Sequence, residues 1–370
     1  MTNNPTPPPA GDQPSSRPPI SGLGTNTPPT PPSNIPQVII QPPKEGGKFI
    51  NRIVKSLLIF SIFLNFYMGW IIYASIQSGP YEKLYLEGSQ SNRIVILPIS
   101  GTVDYDMYDF VRKSLEQLAK DKPKAIVLRV NSGGGYVNAS DQIWHQIAKF
   151  KEEHKIPIIA SFAGVAASGA YYVSAPADAI VIERTGLTGS IGVIAQAFTV
   201  DGLMTKIGVT PKIVTSTDSV DKDELSMFRE WTPKDYEFIT HILDNAYEQF
   251  VSVVYEGRKS ITFDGKTRTL TEEQVRELAT GKVYTATEAL ENGLVDEIGY
   301  LDRAIEVAAT QAQIPSTIKP HVTQMTAPKA GLLSVLGASS QNLPTMDSDR
   351  VRSWVTEMSQ VRLAYQMQLD

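Results

Sequence analysis

A chain of 370 residues has room for about two domains, or one domain with appendages. Its 42% apolar content supplies a core, while a net charge of -5, with no long basic run except ahead of the first apolar stretch, leaves no electrostatic case for nucleic acid. No cysteine is present, and the four histidines (His145, His154, His241, His321) form no HExxH or close pair, so disulfides, thiolate chemistry and a histidine or cysteine metal centre all lack support.

Residues 1–48 carry fourteen of the 25 prolines among Gly, Ser, Thr and Asn, too little apolar surface to offset the entropy of ordering. Residues 1–52 are therefore expected to be a disordered tail. From Ser56 to Ile76 no residue is charged. At 1.5 Å per residue that stretch reaches about 30 Å, a hydrocarbon core's thickness, so 53–77 reads as a transmembrane helix. Lys44, Lys48, Arg52 and Lys55 precede it, and far fewer positive charges follow closely. By the positive-inside rule the N-terminus is cytoplasmic and everything after residue 77 lies outside, a single-pass topology in the plasma (inner) membrane. A cleavable signal peptide fits less well, because the apolar region exceeds about 15 residues and no A-x-A site follows.

After a short connector, strands are expected at 93–99, 125–130, 156–161 and 179–182, with helices at 106–120, 137–151 and 167–174 between them. Strands alternating with helices predict an α/β fold of repeated β-α units with mostly parallel pairing. A glycine-punctuated strand follows at 188–194 and another at Lys212-Ile213-Val214. Thr232 as N-cap and Pro233 at the first helical position then open a long helix to about Arg258. Shorter helices are expected near 271–280, 285–292 and 301–312. Residues 319–345 read as a linker and 347–367 as a weakly amphipathic helix. The folded domain is thus 78–312, and 313–370 is a linker and tail with no assigned role.

Two stretches carry chemistry. Ala166-Ala167-Ser168-Gly169-Ala170 joins a strand to a helix, where a serine hydroxyl meets the positive end of the macrodipole and unpaired N–H groups can hold an oxyanion. The same small residues also suit a packing patch between helix and sheet. Asn131-Ser132-Gly133-Gly134-Gly135 comes directly off a buried strand, and glycines there let the backbone approach a ligand and aim N–H groups at negative charge. A phosphate loop would need GxGxxG or the Walker pattern, and neither is present. A serine nucleophile needs a base. The histidines have no local support, and a lysine can serve instead. Lys206, Lys212, Lys222 and Lys234 all qualify, and spacing does not choose among them.

The ordered set Asn131-Ser132-Gly133-Gly134-Gly135, Ala166–Tyr172, Thr188-Gly189-Ser190-Ile191-Gly192-Val193, Lys222-Asp223, Phe228-Arg229 and Thr232 resembles the membrane-anchored signal peptide peptidase family, SppA. So do Gly281-Lys282-Val283-Tyr284, Ala289 and Gly293-Leu294-Val295-Asp296. The likeness spans about residues 93–310. It implies a Clp/crotonase-type serine protease that cuts peptides left in membranes after signal cleavage. It further implies Ser168 as nucleophile, Lys222 as general base and the backbone N–H groups of Gly134 and Gly169 as oxyanion hole, with no cofactor and no metal. The partners implied are peptide substrates, membrane lipid and copies of the same chain in a homo-oligomer whose sites are completed between subunits. Gly133 stands where the family usually has proline, and Thr215–Asp223 is longer and more acidic than the usual Ser-Gly-x-x-Lys-Asp. The competing class is a non-catalytic membrane scaffold that keeps the fold. A crotonase-type acyl-CoA enzyme fits less, having no need of the anchor or the serine–lysine pair.

Overall fold

The computed structural model describes residues 46–77, 79–327 and 362–366. The proline-rich head up to residue 45 lies outside them. Helix α1 (Gly46–Gln77) contains a 20-residue stretch, Asn51–Trp70, of mean hydropathy 1.5 with none of it buried, which is long and apolar enough to cross a membrane. It begins before the boundary expected from sequence, so residues 46–52 are helical rather than tail. No proline follows Pro43 there, and every backbone N–H is available for the helix.

The folded domain is built on one nine-stranded sheet. In chain order its parts are β1 (Tyr81–Leu86), β2 (Ser89–Ser100), α2 (Tyr105–Asp121), β3 (Ala125–Ser132), β4 (Gly134–Tyr136), α3 (Val137–His154), β5 (Ile158–Ala167), α4 (Gly169–Ser174), β6 (Ala179–Ile182) and β7 (Leu187–Gly189). Then come β8 (Ile194–Gln196), α5 (Asp201–Lys206), a 3-10 turn (Val220–Asp223), α6 (Pro233–Arg258), the hairpin β9 (Ile261–Phe263) and β10 (Lys266–Arg268), and α7 (Glu272–Leu278). The last are β11 (Val283–Thr285), α8 (Ala286–Glu291), β12 (Glu297–Ile298), α9 (Leu301–Gln311), β13 (Pro320–Thr326) and β14 (Arg362–Gln366).

The sheet order is β1-β13-β2-β3-β5-β6-β12, with β7 also on β5 and β11 on β7. From β13 to β12 every neighbouring pair is parallel. Parallel strands need both faces covered, and the sequence answers with near-continuous apolar runs whose alternate residues serve opposite faces. Val95, Leu97, Ile126, Leu128, Ile158 and Ala160 pack on the side of α2, α3, α4 and α6. Ile94, Ile96, Ala125, Val127 and Ile159 pack on the other side against Ala304, Ile305 and Ala308 of α9. The helices start where their caps dictate. Asp104 accepts from Met107 N (2.9 Å) ahead of α2, and Thr232 with Asp235 forms a reciprocal capping box ahead of α6.

Four expectations from sequence are corrected. The connector before residue 93 contains β1 and the start of β2. Residues 320–326, read as linker, form β13 between β1 and β2, where Val322 and Met325 are fully buried. Lys212-Ile213-Val214 is no strand, since no sheet edge reaches it, and Val214 stands 91% exposed. Residues 362–366, read as helix, are the strand β14, and the rest of 347–367 lies outside the described residues.

A buried ion pair ties the end of α6 to the strand that closes the sheet. Arg258 Nη2 lies 2.6 Å from Asp296 Oδ1, both side chains at most 1% exposed. Arg258 also donates to Gly293 O from Nε (3.1 Å) and Nη2 (3.0 Å), and Asp296 Oδ2 accepts Ile180 N (2.7 Å). Removing one partner strands the other charge. Arg258→Met is expected to lower unfolding stability by about 3–5 kcal/mol, read from the urea midpoint, and Arg258→Met/Asp296→Leu to recover part of that loss.

Candidate active site

Two adjacent parallel strands bring the two chemistry-bearing stretches together. β3 and β5 pair up to Val130–Phe162, shift register, and resume with Ser132 opposite Ala166. The glycine loop leaving β3 therefore lies beside the end of β5. Glycine is required there on two grounds. Gly134 adopts φ +101°, and a Cβ on Gly135 would sit 2.2 Å from Val103 O.

Ser168 is the single residue between β5 and α4. It adopts φ 56°, ψ -124°, a left-handed conformation that a residue bearing Cβ adopts only when its surroundings impose it. Here they do. Ser168 N donates to Gly189 O (2.7 Å), and Ser168 O accepts from Tyr172 N (3.0 Å). α4 is pinned by Tyr171 Oη to Leu294 O (2.6 Å) and by Tyr172 Oη to Asp141 Oδ1 (2.8 Å). Burial raises the Tyr171 hydroxyl well above its usual pKa, so it remains a donor.

The Ser168 hydroxyl is 1% exposed as a residue, and its Oγ has no hydrogen-bond partner among the described residues. Leaving a buried hydroxyl unpaired costs about 1–3 kcal/mol, and the backbone strain adds about 1–3 kcal/mol. Gly169 opens α4, so its N–H has no intrahelical acceptor and is free to receive negative charge. Gly134 N–H is occupied by Ser132 Oγ (3.1 Å).

Across this cluster lies an extended segment of the chain itself. β14 pairs antiparallel with β4, Ala364 opposite Tyr136, Tyr365 opposite Gly135 and Gln366 opposite Gly134. Its other edge pairs antiparallel with β8, Arg362 opposite Gln196 through Ala364 opposite Ile194. β14 also comes within 8 Å of α4 between Cα atoms. The slot between β4 and β8 thus takes a polypeptide backbone by strand addition. A cavity of about 340 Å³ lined by Ser190, Gly192, Ile194, Tyr247 and Gly281 adjoins β8. A larger one, about 740 Å³ and bounded by Trp144, Lys151, Pro176 and Lys259, touches none of these residues.

Lys222 is not part of this cluster within one chain. It sits exposed on the 3-10 turn, and among the described residues no hydrogen bond or ion pair links it to Ser168. Lys234 is salt-bridged to Asp221 and to Glu224 (2.9 Å), and those bonds hold its amine protonated. Lys206 and Lys212 are exposed. No histidine reaches Ser168: His241 lies against Asn245, His321 against Gln90, and His154 against the Phe150 ring.

Sequence reasoning named Asn131, Asp296 and Arg229 only as motif members and missed what they hold: Asn131 Oδ1 accepts Val165 N (3.3 Å), Asp296 pairs with Arg258, and Arg229 joins a network centred on Asp235. Of these contacts only the Asp235 network has a local signal, the Thr-x-x-Asp capping pattern at Thr232.

The strain makes a prediction. Glycine relieves the positive φ at position 168 and alanine does not. Against glycine's extra chain entropy of about 0.5–1 kcal/mol, Ser168→Gly should still match or exceed Ser168→Ala by up to about 2 kcal/mol in thermal unfolding.

Comparison with known proteins places the chain in a family. The model of peptidase family S49 matches residues 150–315, and that of the NfeD1b N-terminal domain matches 93–202. A protein of Enterococcus faecium named for signal peptide peptidase SppA is 32% identical over 286 residues, covering 74% of this chain and 79% of the relative. A protein of Synechocystis named as a protease is 33% identical over 258 residues, 70% of this chain and 87% of its own length. Protease 4 of Salmonella typhi is 37% identical over 193 residues, which is 52% of this chain and 29% of that longer protein. With that identity sustained over most of the first two relatives, the chain belongs to the signal peptide peptidase SppA family of proteases.

Proposed function

We infer that the protein is a membrane-anchored serine endopeptidase of the Clp/crotonase type that cleaves extended apolar peptides, such as signal-peptide remnants, with Ser168 as nucleophile and Lys222 as general base. The observation that carries this reading is the strained, unpartnered Ser168 hydroxyl beside a slot already holding an extended strand. A peptide that takes the place of β14 between β4 and β8 runs its backbone over the glycine loop, where a carbonyl meets Oγ and the N–H of Gly169. Gly134 N–H joins the oxyanion hole when Ser132 Oγ releases it.

The neutral Lys222 amine takes the Ser168 proton as Oγ attacks the carbonyl carbon. The tetrahedral intermediate collapses with cleavage of the C–N bond, and the ammonium protonates the leaving amine. Water then attacks the acyl-enzyme by the same path in reverse, giving a carboxylate and free Ser168. An unperturbed lysine has pKa ~10.4, so at pH 7 about one in 2,500 is neutral. Reaching pKa ~7 takes about 4.6 kcal/mol of bias against the charged form, which burial supplies.

Within one chain Lys222 is exposed, on a segment whose Phe198, Leu203, Ile207, Val214, Val220 and Phe228 are exposed as well. A contiguous stretch with this many bare apolar side chains is what a subunit interface looks like before assembly. In our reading a second copy covers it, buries Lys222 and completes the neighbour's site, making the active form a homo-oligomer. α1 then anchors each copy in the plasma (inner) membrane, with the N-terminus cytoplasmic and the catalytic domain on the other side, beside its apolar substrates.

Ser168→Ala should abolish peptide turnover and labelling by a fluorophosphonate probe while the protein melts no lower than the parent, since the exchange leaves almost no cavity and removes an unpaired buried hydroxyl. A folded wild-type protein that never labels would return the chain to the scaffold reading. Lys222→Ala and Lys222→Arg are both expected to be inactive, arginine because it keeps its proton, whereas His241→Ala keeps most of its turnover. For the anchor, protease added to spheroplasts should digest the folded domain and spare a tag at residue 1.

A further inference from the structure

The general base proposed above stands in an acidic sequence, Asp221-Lys222-Asp223-Glu224, that ought to hold its amine protonated. The structure deals with each carboxylate separately. Arg229 Nε donates to Asp223 Oδ2 (2.8 Å) and its Nη2 to Asp223 O (2.7 Å). The same guanidinium spans to Asp235, with Nη1 to Oδ2 (2.7 Å) and Nη2 to Oδ1 (2.8 Å). Asp235 is fully buried and also accepts Leu225 N (2.9 Å) and Thr232 N (2.7 Å). On the other side of the turn Lys234 takes Asp221 and Glu224 together. Among the described residues the Lys222 amine has no ion pair, although an aspartate flanks it on either side.

Resting on the reading of Lys222 as base, we propose that Arg229 and Lys234 are positioning residues: two clips that draw Asp223, Asp221 and Glu224 off Lys222, so that its amine can release a proton on burial. The arrangement has the chemistry for it. The Arg229 fork holds its two carboxylates in one fixed plane, whereas the Lys234 ammonium holds its two as a point charge. Its anchor, Asp235, is the buried capping-box residue of α6, so the clip ties the lysine turn to the first turn of that 26-residue helix. The charged groups meeting at the turn are Asp218, Asp221, Asp223 and Glu224 before and on it, Arg229 and Glu230 in the following loop, and Lys234 and Asp235 on α6. Within this set, each acid next to Lys222 is bonded to one of the two clips.

The test is the pH profile of kcat/KM for an internally quenched apolar peptide, measured on the full chain in detergent. Its acid limb reports the base of the free enzyme. Arg229→Gln frees the Asp223 carboxylate to pair with Lys222, and the limb should rise by about 1 pH unit. Lys234→Gln, in which only an exposed side chain changes, should raise it by less because solvent screens that pair. Adding Asp223→Asn to Arg229→Gln should return the limb toward the parent's, and both single variants should converge on the parent rate at high pH. A uniform fall in rate at every pH, or a limb unmoved in Lys234→Gln and not restored in the double variant, overturns the clip. Retained turnover with an unchanged limb in Lys222→Ala would instead remove the base itself, so the two failures are distinguishable.

Discussion

The molecule depends on a single backbone constraint: β5 must become α4 within one residue, and that residue carries a Cβ at positive φ. Neither the serine nor the helix of six residues could hold this alone. β5 is locked by its partners, β3 and β6 along its length and β7 at its end, and Gly189 O of β7 accepts the Ser168 N–H itself. α4 is then fastened by two tyrosine hydroxyls to elements far away in sequence, Tyr171 to Leu294 and Tyr172 to Asp141. The strain and the unpaired hydroxyl together amount to about 2–6 kcal/mol. That is a substantial part of a domain's typical net stability of about 5–15 kcal/mol, and the buried sheet is what tolerates it.

The same sheet sets the geometry of everything around the serine. The register shift between β3 and β5 lets the glycine loop rise beside Ser168, and β4 continues from that loop as an open strand edge. β8 provides a second edge, and β14 fills the space between the two with hydrogen bonds to both. Main-chain pairing of this kind is indifferent to side chains, which suits the extended peptide substrates of our reading.

The catalytic lysine in our reading obeys a different physics. Its segment is held to its own chain by ion pairs, Arg229 to Asp223 and Asp235, Lys234 to Asp221 and Glu224, while Phe198, Leu203, Ile207, Val214, Val220 and Phe228 face outward. Such a segment is pre-shaped but unfinished. Desolvation of the amine, which its base function requires, has to come from a second body, and this couples assembly to activity.

Much of this was legible in the chain. The apolar runs of β2, β3 and β5, the caps at Asp104 and Thr232, and the uncharged stretch of α1 are local patterns, and local physics reads them. The serine and glycine stretches could be named, along with their place at strand ends. Their proximity could not, because it rests on a parallel pairing of β3 with β5 across an intervening helix. β13 escaped because its residues become a strand only where β1 and β2 offer two edges, and β14 for the same reason between β4 and β8. Lys212-Ile213-Val214 erred the other way, a β-prone run with no edge to join. Composition fixes what a segment can bury, and so the layers of the fold. Which strand finds which edge, and which cation takes which carboxylate, is settled by non-local contacts that only the assembled tertiary structure contains.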